Sequence, residues 1–404
     1  MTQEAGAFCS SAEPTGSIAI ITNNAYSLAN FRGPLISDMV KQGLRVYALA
    51  PDFDDKTRTR ARELGAEPVD YTLERASIRP FRDIRDAVRL AFLLRRLKPD
   101  IVLSYFIKPV IYGSLAAWAA RVKRRYALVA GLGYVFAPHQ GRLKRKMLQV
   151  FVSRFYALAF RTCHRIFFQN AEDVAHFVDV GLLPMDKAVR LNGTGVDLKR
   201  FACAPAVPQP VRFLLMARLL REKGIEEFVE AGRLVRQSHP EAEFVLLGGF
   251  DPNPGGLSEA EVRGWAAEGA VRWLGHVDDV MPEIRASSVY VLPSYYREGV
   301  PRSTQEAMAM GRPVITTDWI GCRDTVQDGI NGFLVPIRDI PALAAAMTRF
   351  VDDPSLIERM GLESRKLAEA RFDAAEINAE MLRVMGIARM LPSAEREGND
   401  FLGL

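Results

Sequence analysis

Val211 to Gly249 reads VRFLLMARLLREKGIEEFVEAGRLVRQSHPEAEFVLLGG. It opens and closes on short apolar runs, VRFLLMA and EFVLLGG, with a helix beginning near Gly224 between them. Runs too uniformly apolar to alternate belong to strands covered on both faces, and two of them joined through a helix make a parallel βαβ unit. The pattern continues downstream with VRWLGH, VYVLPS and PVITTD. Upstream, from Ser17, SIAIITNN, RVYALAP, IVLSYF, YALVAG and RIFFQN alternate with helical stretches in the same way. A Pro-rich segment, FACAPAVPQP at Phe201 to Pro210, separates the two series. The expectation is an α/β chain of two Rossmann-like parallel-sheet domains facing each other across a cleft. The boundaries expected are 1–205 and 206–373, with 374–404 a tail whose helix, capped by Asp373, returns to the first domain.

The composition is that of a globular protein, about half apolar and a quarter charged over 404 residues. The four cysteines, Cys9, Cys163, Cys203 and Cys322, show no C-x-x-C spacing, which argues against a disulfide framework or a zinc site and for a reducing cytosol. MTQEAGAFCSSAEPTG has no basic start and does not read as a signal peptide. The most apolar stretch, MLQVFVSRFYALAF, is interrupted by Arg154 and too short to span a bilayer.

Charge is divided unevenly. Residues 1–200 hold 31 Lys and Arg against 18 Asp and Glu, net +13, and the remainder 22 against 30, net −8, which sums to the +5 of the chain. No carboxylate occurs between Asp100 and Glu172, where there are 12 Lys and Arg. An anionic partner of the first half is implied.

In α/β sheets ligands bind outside the carboxyl ends of strands, and polar residues gather there in this chain. Arg218 and Lys223 lie where VRFLLMA turns into its helix, placed to hold a diphosphate. VYVLPS leads into REGVPRSTQEAMAMG, Arg297 to Gly311. Here Glu298 and Gly299 occupy a loop, Ser303 and Thr304 the first turn of a helix, and Glu306 the turn after it. Free amides at a helix start favour phosphate, the two hydroxyls can add to them, and Glu306 beside such a phosphate can accept hydrogen bonds from a ribose.

R-x(4)-K-G followed by E-x(7)-E and EAMAMGRPVITTD resembles the retaining glycosyltransferases of family 4, which have the GT-B fold and use nucleotide-sugar donors. NGTGVDLKRF and GHVDDVMPEIRASSVYVLPS extend the likeness over nearly the whole chain. The resemblance implies that Glu306 holds the ribose, Glu298 contacts the donor sugar, Arg218 and Lys223 neutralise the leaving diphosphate, and Gly275 and His276 lie near the base. It implies no cofactor and no metal. In the first domain SLANFRGPL, IKPVIYGSLAA and GLGYVF resemble bacterial enzymes that add N-acetylgalactosamine or a related sugar to an undecaprenyl-diphosphate-linked sugar. The acceptor-side residues so implied are Asn23, Asn24, Arg32, Gly131 and Tyr134, with Asn23-Asn24 standing where many relatives carry Gly-Gly. The implied partners are a UDP-sugar, a polyprenyl-diphosphate-linked acceptor and an anionic membrane surface, not nucleic acid.

Other readings compete. Asp52-Phe53-Asp54 has the form of the acidic pair of metal-dependent GT-A enzymes, but it falls inside the first domain and is better read as a charged turn. The five histidines show no ligand spacing. A GT-B nucleotide-sugar epimerase shares the architecture, and a nonenzymatic basic membrane-binding protein accounts for the charge but not for the Arg218, Lys223, Glu298 and Glu306 set. In RPFRDIRDAVRLAFLLRRLK, Arg82, Arg85, Arg89 and Arg96 recur at helical spacing, with Phe81, Ile84, Val88 and Leu97 expected on another face. With LKRKMLQVFVSRFYALAF they suggest a first domain resting on the inner face of the plasma membrane, the protein being cytoplasmic and peripheral.

Overall fold

The structure is a computed structural model that describes residues 16–74, 80–133, 136, 142–207, 209–253 and 255–387. Strands β1 (Gly16–Ile21), β2 (Leu44–Ala50), β3 (Ala66–Asp70), β4 (Ile101–Tyr105), β5 (Arg124–Val129), β6 (Arg165–Phe168) and β7 (Ala188–Arg190) form one sheet in the order β3-β2-β1-β4-β5-β6-β7. Its helices are α1 (Ala25–Phe31), α2 (Gly33–Lys41), α3 (Asp55–Glu63), α4 (Pro80–Leu97), α5 (Ser114–Ala119), α6 (Arg142–Thr162) and α7 (Ala171–Val178). The second sheet, in the order β10-β9-β8-β11-β12-β13, comprises β8 (Arg212–Met216), β9 (Glu243–Leu247), β10 (Arg272–Trp273), β11 (Val289–Leu292), β12 (Val314–Thr317) and β13 (Gly332–Val335). With it run α8 (Ile225–Ser238), α9 (Glu259–Ala267), α10 (Met281–Arg285), α11 (Arg302–Ala309), α12 (Ile340–Asp352) and α13 (Ser355–Arg371).

Both sheets are parallel, and the strand interiors are buried on both faces, which is why the runs are continuously apolar. Strand order reverses between β1 and β4 in the first sheet and between β8 and β11 in the second. Those two points are where a ligand crevice forms.

The chain crosses back after the second sheet. The Val196 amide bonds to the Phe372 carbonyl at 2.8 Å and the Ala374 amide to the Val196 carbonyl at 3.1 Å, so the outgoing and returning segments pass side by side. Asp373 caps α14 (Ala374–Val384) by accepting from the Ala375 amide. Ile377, Met381 and Leu382 then join the first-domain core, and Asn378 Nδ2 donates to Asp38 at 3.0 Å.

Helix α4 departs from expectation. Its buried face is Asp83, Asp86, Leu90, Ala91 and Leu94, while Phe81 (91% exposed), Ile84, Val88 and Phe92 stand in solvent among the arginines rather than on another face. The inward aspartates explain this inversion: Lys108 Nζ donates to Asp83 at 2.8 Å and Thr72 Oγ1 to Asp86 at 3.0 Å. Polar partners inside take the positions that apolar residues usually fill.

Candidate active site

Arg218, Lys223 and Glu298 come together at the β8/β11 reversal. After β8 the chain makes one short 3₁₀ turn, Arg221–Lys223, and reaches Gly224, whose φ of +75° starts α8. A Cβ there would lie 2.1 Å from the Pro293 carbonyl oxygen, so glycine allows the turn to close against the end of β11. Lys223 Nζ donates to Glu298 Oε1, and Ser294 Oγ lies 3.1 Å from the same oxygen. Arg218 Nη1 bonds Asp251 at 2.6 Å. Both cations lie over the ring of Tyr296, Arg218 at 5.9 Å and Lys223 at 5.1 Å from its centroid. Burial opposes the charge on Arg218, but Tyr296 and Asp251 outweigh it and hold the guanidinium more firmly charged than usual.

Helix α11 starts at Pro301 with no side-chain cap, which leaves the amides of its first turn without intrahelical partners. Thr304 is fully buried and the Ser303 hydroxyl lies 2.6 Å from that of Tyr290. The first turn therefore offers an anion its amides more than the two hydroxyls expected from sequence. Glu306 is buried, and burial raises its pKa against the pull of Arg302, whose Nε donates at 2.9 Å.

The first domain grips the Glu298 loop directly. Gly131 has φ +89°, and a Cβ on it would lie 2.4 Å from the Gly299 nitrogen. Asn170 Nδ2 lies 3.1 Å from the Glu298 carbonyl and 3.2 Å from that of Gly299. Arg297 Nε bonds Asp173 Oδ1 at 2.9 Å, where Asp173 is fully buried. Burial lifts the Asp173 pKa to about 6 although Arg297 and Asn170 oppose the rise. Asn170 and Asp173 went unpicked from sequence; their signal was a polar pair closing the apolar strand RIFFQN and opening α7.

The remaining expected residues fall in several places. Gly275, φ +71°, accepts from the Gly248 amide at 2.8 Å with open space where a Cβ would be. His276 is exposed and meets Tyr26 of the first domain edge-on at 5.6 Å. Asn24 caps α1, accepting from the Ser27 amide at 2.8 Å and donating to Asp52 at 3.0 Å; Asn23 adjoins it. Asp54 caps α3 through a reciprocal bond with Thr57, so both members of the Asp52/Asp54 pair serve helix starts. Among the described residues no group of three His, Cys, Asp or Glu is placed to hold a metal ion. Arg32 is buried against Tyr105. Tyr134 lies outside the described residues.

Comparison with known proteins bears on the family and the fold. Residues 23–170 match the family described as Glycosyl transferase 4-like, and residues 210–353 match Glycosyl transferases group 1. The N,N'-diacetylbacillosaminyl-diphospho-undecaprenol alpha-1,3-N-acetylgalactosaminyltransferase of Campylobacter jejuni is 28% identical over 352 residues, which is 84% of this chain and 90% of the relative. The UDP-Gal:alpha-D-GlcNAc-diphosphoundecaprenol alpha-1,3-galactosyltransferase of Escherichia coli is 26% identical over 355 residues, 80% and 87% of the two chains. Sucrose-phosphate synthase of Thermosynechococcus elongatus superposes with a TM-score of 0.73 at 18% identity, covering 91% of this chain and 98% of its own. Anabaena HepE in complex with UDP and glucose gives 0.72 at 16% identity, covering 92% and 99%. The fold is thus GT-B, and the chain belongs to the glycosyltransferases whose first domain is 4-like and whose second is group 1.

Proposed function

We propose that this glycosyltransferase moves a hexosamine, N-acetylgalactosamine or a related sugar, from a UDP-sugar to a saccharide carried on polyprenyl diphosphate, with retention at the anomeric carbon. The observation that carries the reading is the convergence of Arg218, Lys223 and the open first turn of α11 on one carboxylate-bearing loop at the β8/β11 reversal. A nucleoside diphosphate departs with negative charge growing on its oxygens, and preorganised cations and amides stabilise that charge. Glu306, one turn into α11, is the ribose partner, and Glu298 faces the donor sugar. Glu298 is ion-paired to Lys223 and Glu306 to Arg302. With Glu306 given to the ribose, Glu298 alone is left for a double displacement, which favours a front-face path in which the departing phosphate takes the acceptor's proton.

Both relatives quoted above are named for acceptors on diphosphoundecaprenol, and this supports the lipid-linked acceptor. So does the outer face of the first domain. Helix α4 packs beside α5 and α5 beside α6. Phe81 and Phe92 on α4, Trp118 (59% exposed) on α5, and Met147 (68% exposed), Val150 and Phe151 on α6 are all in solvent. Arg82, Arg85, Arg89 and Arg154 stand among them. Exposed apolar groups interleaved with arginine suit the headgroup layer of an anionic bilayer. No described helix is long and apolar enough to cross a membrane; the contact proposed is a peripheral one, with the cytoplasmic leaflet.

The test is product analysis. Incubation with UDP-N-acetylgalactosamine and a synthetic polyprenyl-diphosphate-linked amino sugar should yield an acceptor heavier by one N-acetylhexosamine. A changed donor sugar without acceptor marks an epimerase instead, and no change under either condition overturns the reading.

A further inference from the structure

Arg32 is 1% exposed, and no acceptor meets hydrogen-bond geometry at its Nε, Nη1 or Nη2. Its guanidinium lies over the Tyr105 ring, 4.7 Å from the centroid. Burial drives its pKa down; the Tyr105 hydroxyl opposes that, and the positive charge of Arg302 adds to it. A guanidinium does not give up its proton in response, so a buried positive charge stands here with no counter-ion. Such a charge destabilises the fold unless something else supplies its partner.

The position points to a ligand. Tyr105 ends β4, so Arg32 sits at the β1/β4 reversal, the ligand crevice of the first sheet. The next residue, Phe106, is held at φ +76° with its ring stacked 3.8 Å from that of Tyr105. A bulky residue in the left-handed region is strained, and such strain gathers at binding sites. From the facing domain comes Arg302, its guanidinium 5.5 Å from the Phe31 ring centroid and Nη1 3.5 Å from the Phe31 carbonyl. Arg302 is ion-paired to Glu306 at 2.9 Å, and no such carboxylate is bonded to Arg32.

We propose that Arg32, with Arg302 beside it, receives the diphosphate of the acceptor, a second diphosphate separate from that of the donor. This deepens the proposed function and rests on it. The donor diphosphate already has Arg218, Lys223 and the α11 amides at the other reversal, whereas Arg32 belongs to the first domain. The planar fork of arginine matches phosphate oxygens. Arg32 is covered, so the anion enters as the two domains draw apart at Phe31 and Arg302, where the 3.5 Å contact is at the limit of a hydrogen bond.

The experiment uses the full chain saturated with UDP, which fills the donor site, and titrates inorganic diphosphate by calorimetry. Wild type should bind it, and Arg32→Met should bind it at least tenfold more weakly with UDP affinity changed less than twofold. In kinetics, Arg32→Met should lower kcat/KM for the polyprenyl-diphosphate-linked acceptor at least tenfold, and Arg32→Lys should recover part of the loss. Removal of an uncompensated buried charge should leave the melting temperature equal or higher. Equal diphosphate binding by wild type and variant, no binding by wild type, weakened UDP binding, or a melting temperature lower by several degrees would each overturn the proposal. If wild type transfers nothing to that acceptor while diphosphate binding depends on Arg32, the acceptor reading fails and the anion site stands.

Discussion

Lys223 and Glu298, 75 positions apart, form an ion pair with side chains only 12% and 11% exposed. The pair joins the loop after β8 to the loop after β11, so the cation proposed to meet the leaving group also fixes the carboxylate proposed to meet the sugar. Lys223→Met leaves Glu298 without its cation and should lower stability by about 3 kcal/mol. Transfer should fall ~100-fold or more. The double variant Lys223→Met/Glu298→Gln removes the stranded charge and should recover stability by thermal melt but not activity. Recovery of both would make the pair purely structural.

With the diphosphate charge assigned to Arg218 and Lys223, turnover in EDTA should equal turnover without it. Complete loss in EDTA, restored by Mn²⁺, would instead point to Asp52 and Asp54.

Much of this site was legible because strand ends are legible. The apolar runs placed Arg218, Lys223 and Glu298 at carboxyl ends of parallel strands, and the βαβ pattern made those ends neighbours. What stayed hidden depends on the facing of the two domains: Arg297 meets Asp173 across 124 positions, and Asn170 meets the Glu298 carbonyl across 128. No local periodicity carries that information. Helix α4 hid its orientation for a different reason, since its aspartates point inward to Lys108 and Thr72 while apolar side chains point out.

The Arg297 to Asp173 contact gives a pH signature. Folding raises the Asp173 carboxyl from 3.8 to about 6 by burial, so in that window the unfolded chain binds fewer protons than the folded one. Stability contributed by this group is therefore full below pH 3.8 and lost as pH rises through about 6, on the order of 3 kcal/mol at most. Denaturant midpoints of Asp173→Asn should lack that component when compared with wild type between pH 4 and 7. Identical slopes for the two proteins would remove Asp173 from the account.

On the outer face, Arg82, Arg85 and Arg89 changed together to Gln should reduce sedimentation with anionic vesicles, each arginine contributing ~1 kcal/mol near such a surface. Transfer to a vesicle-embedded acceptor should slow, and transfer to a short-chain soluble acceptor should stay near normal. Changing Phe81 and Phe92 to Ser should have the same effect at high salt, where the charge contribution is screened. Equal sedimentation of variants and wild type at both low and high salt excludes this face from the membrane.

On the proposed function, one carboxylate serves the sugar and the other the nucleotide. Steady-state kinetics of Glu298→Ala and Glu306→Ala with varied UDP-sugar test it most directly. Glu298→Ala should mainly lower kcat, and Glu306→Ala should mainly raise the donor KM. Unchanged constants in both variants, or a Glu306→Ala enzyme with normal donor KM, would contradict it.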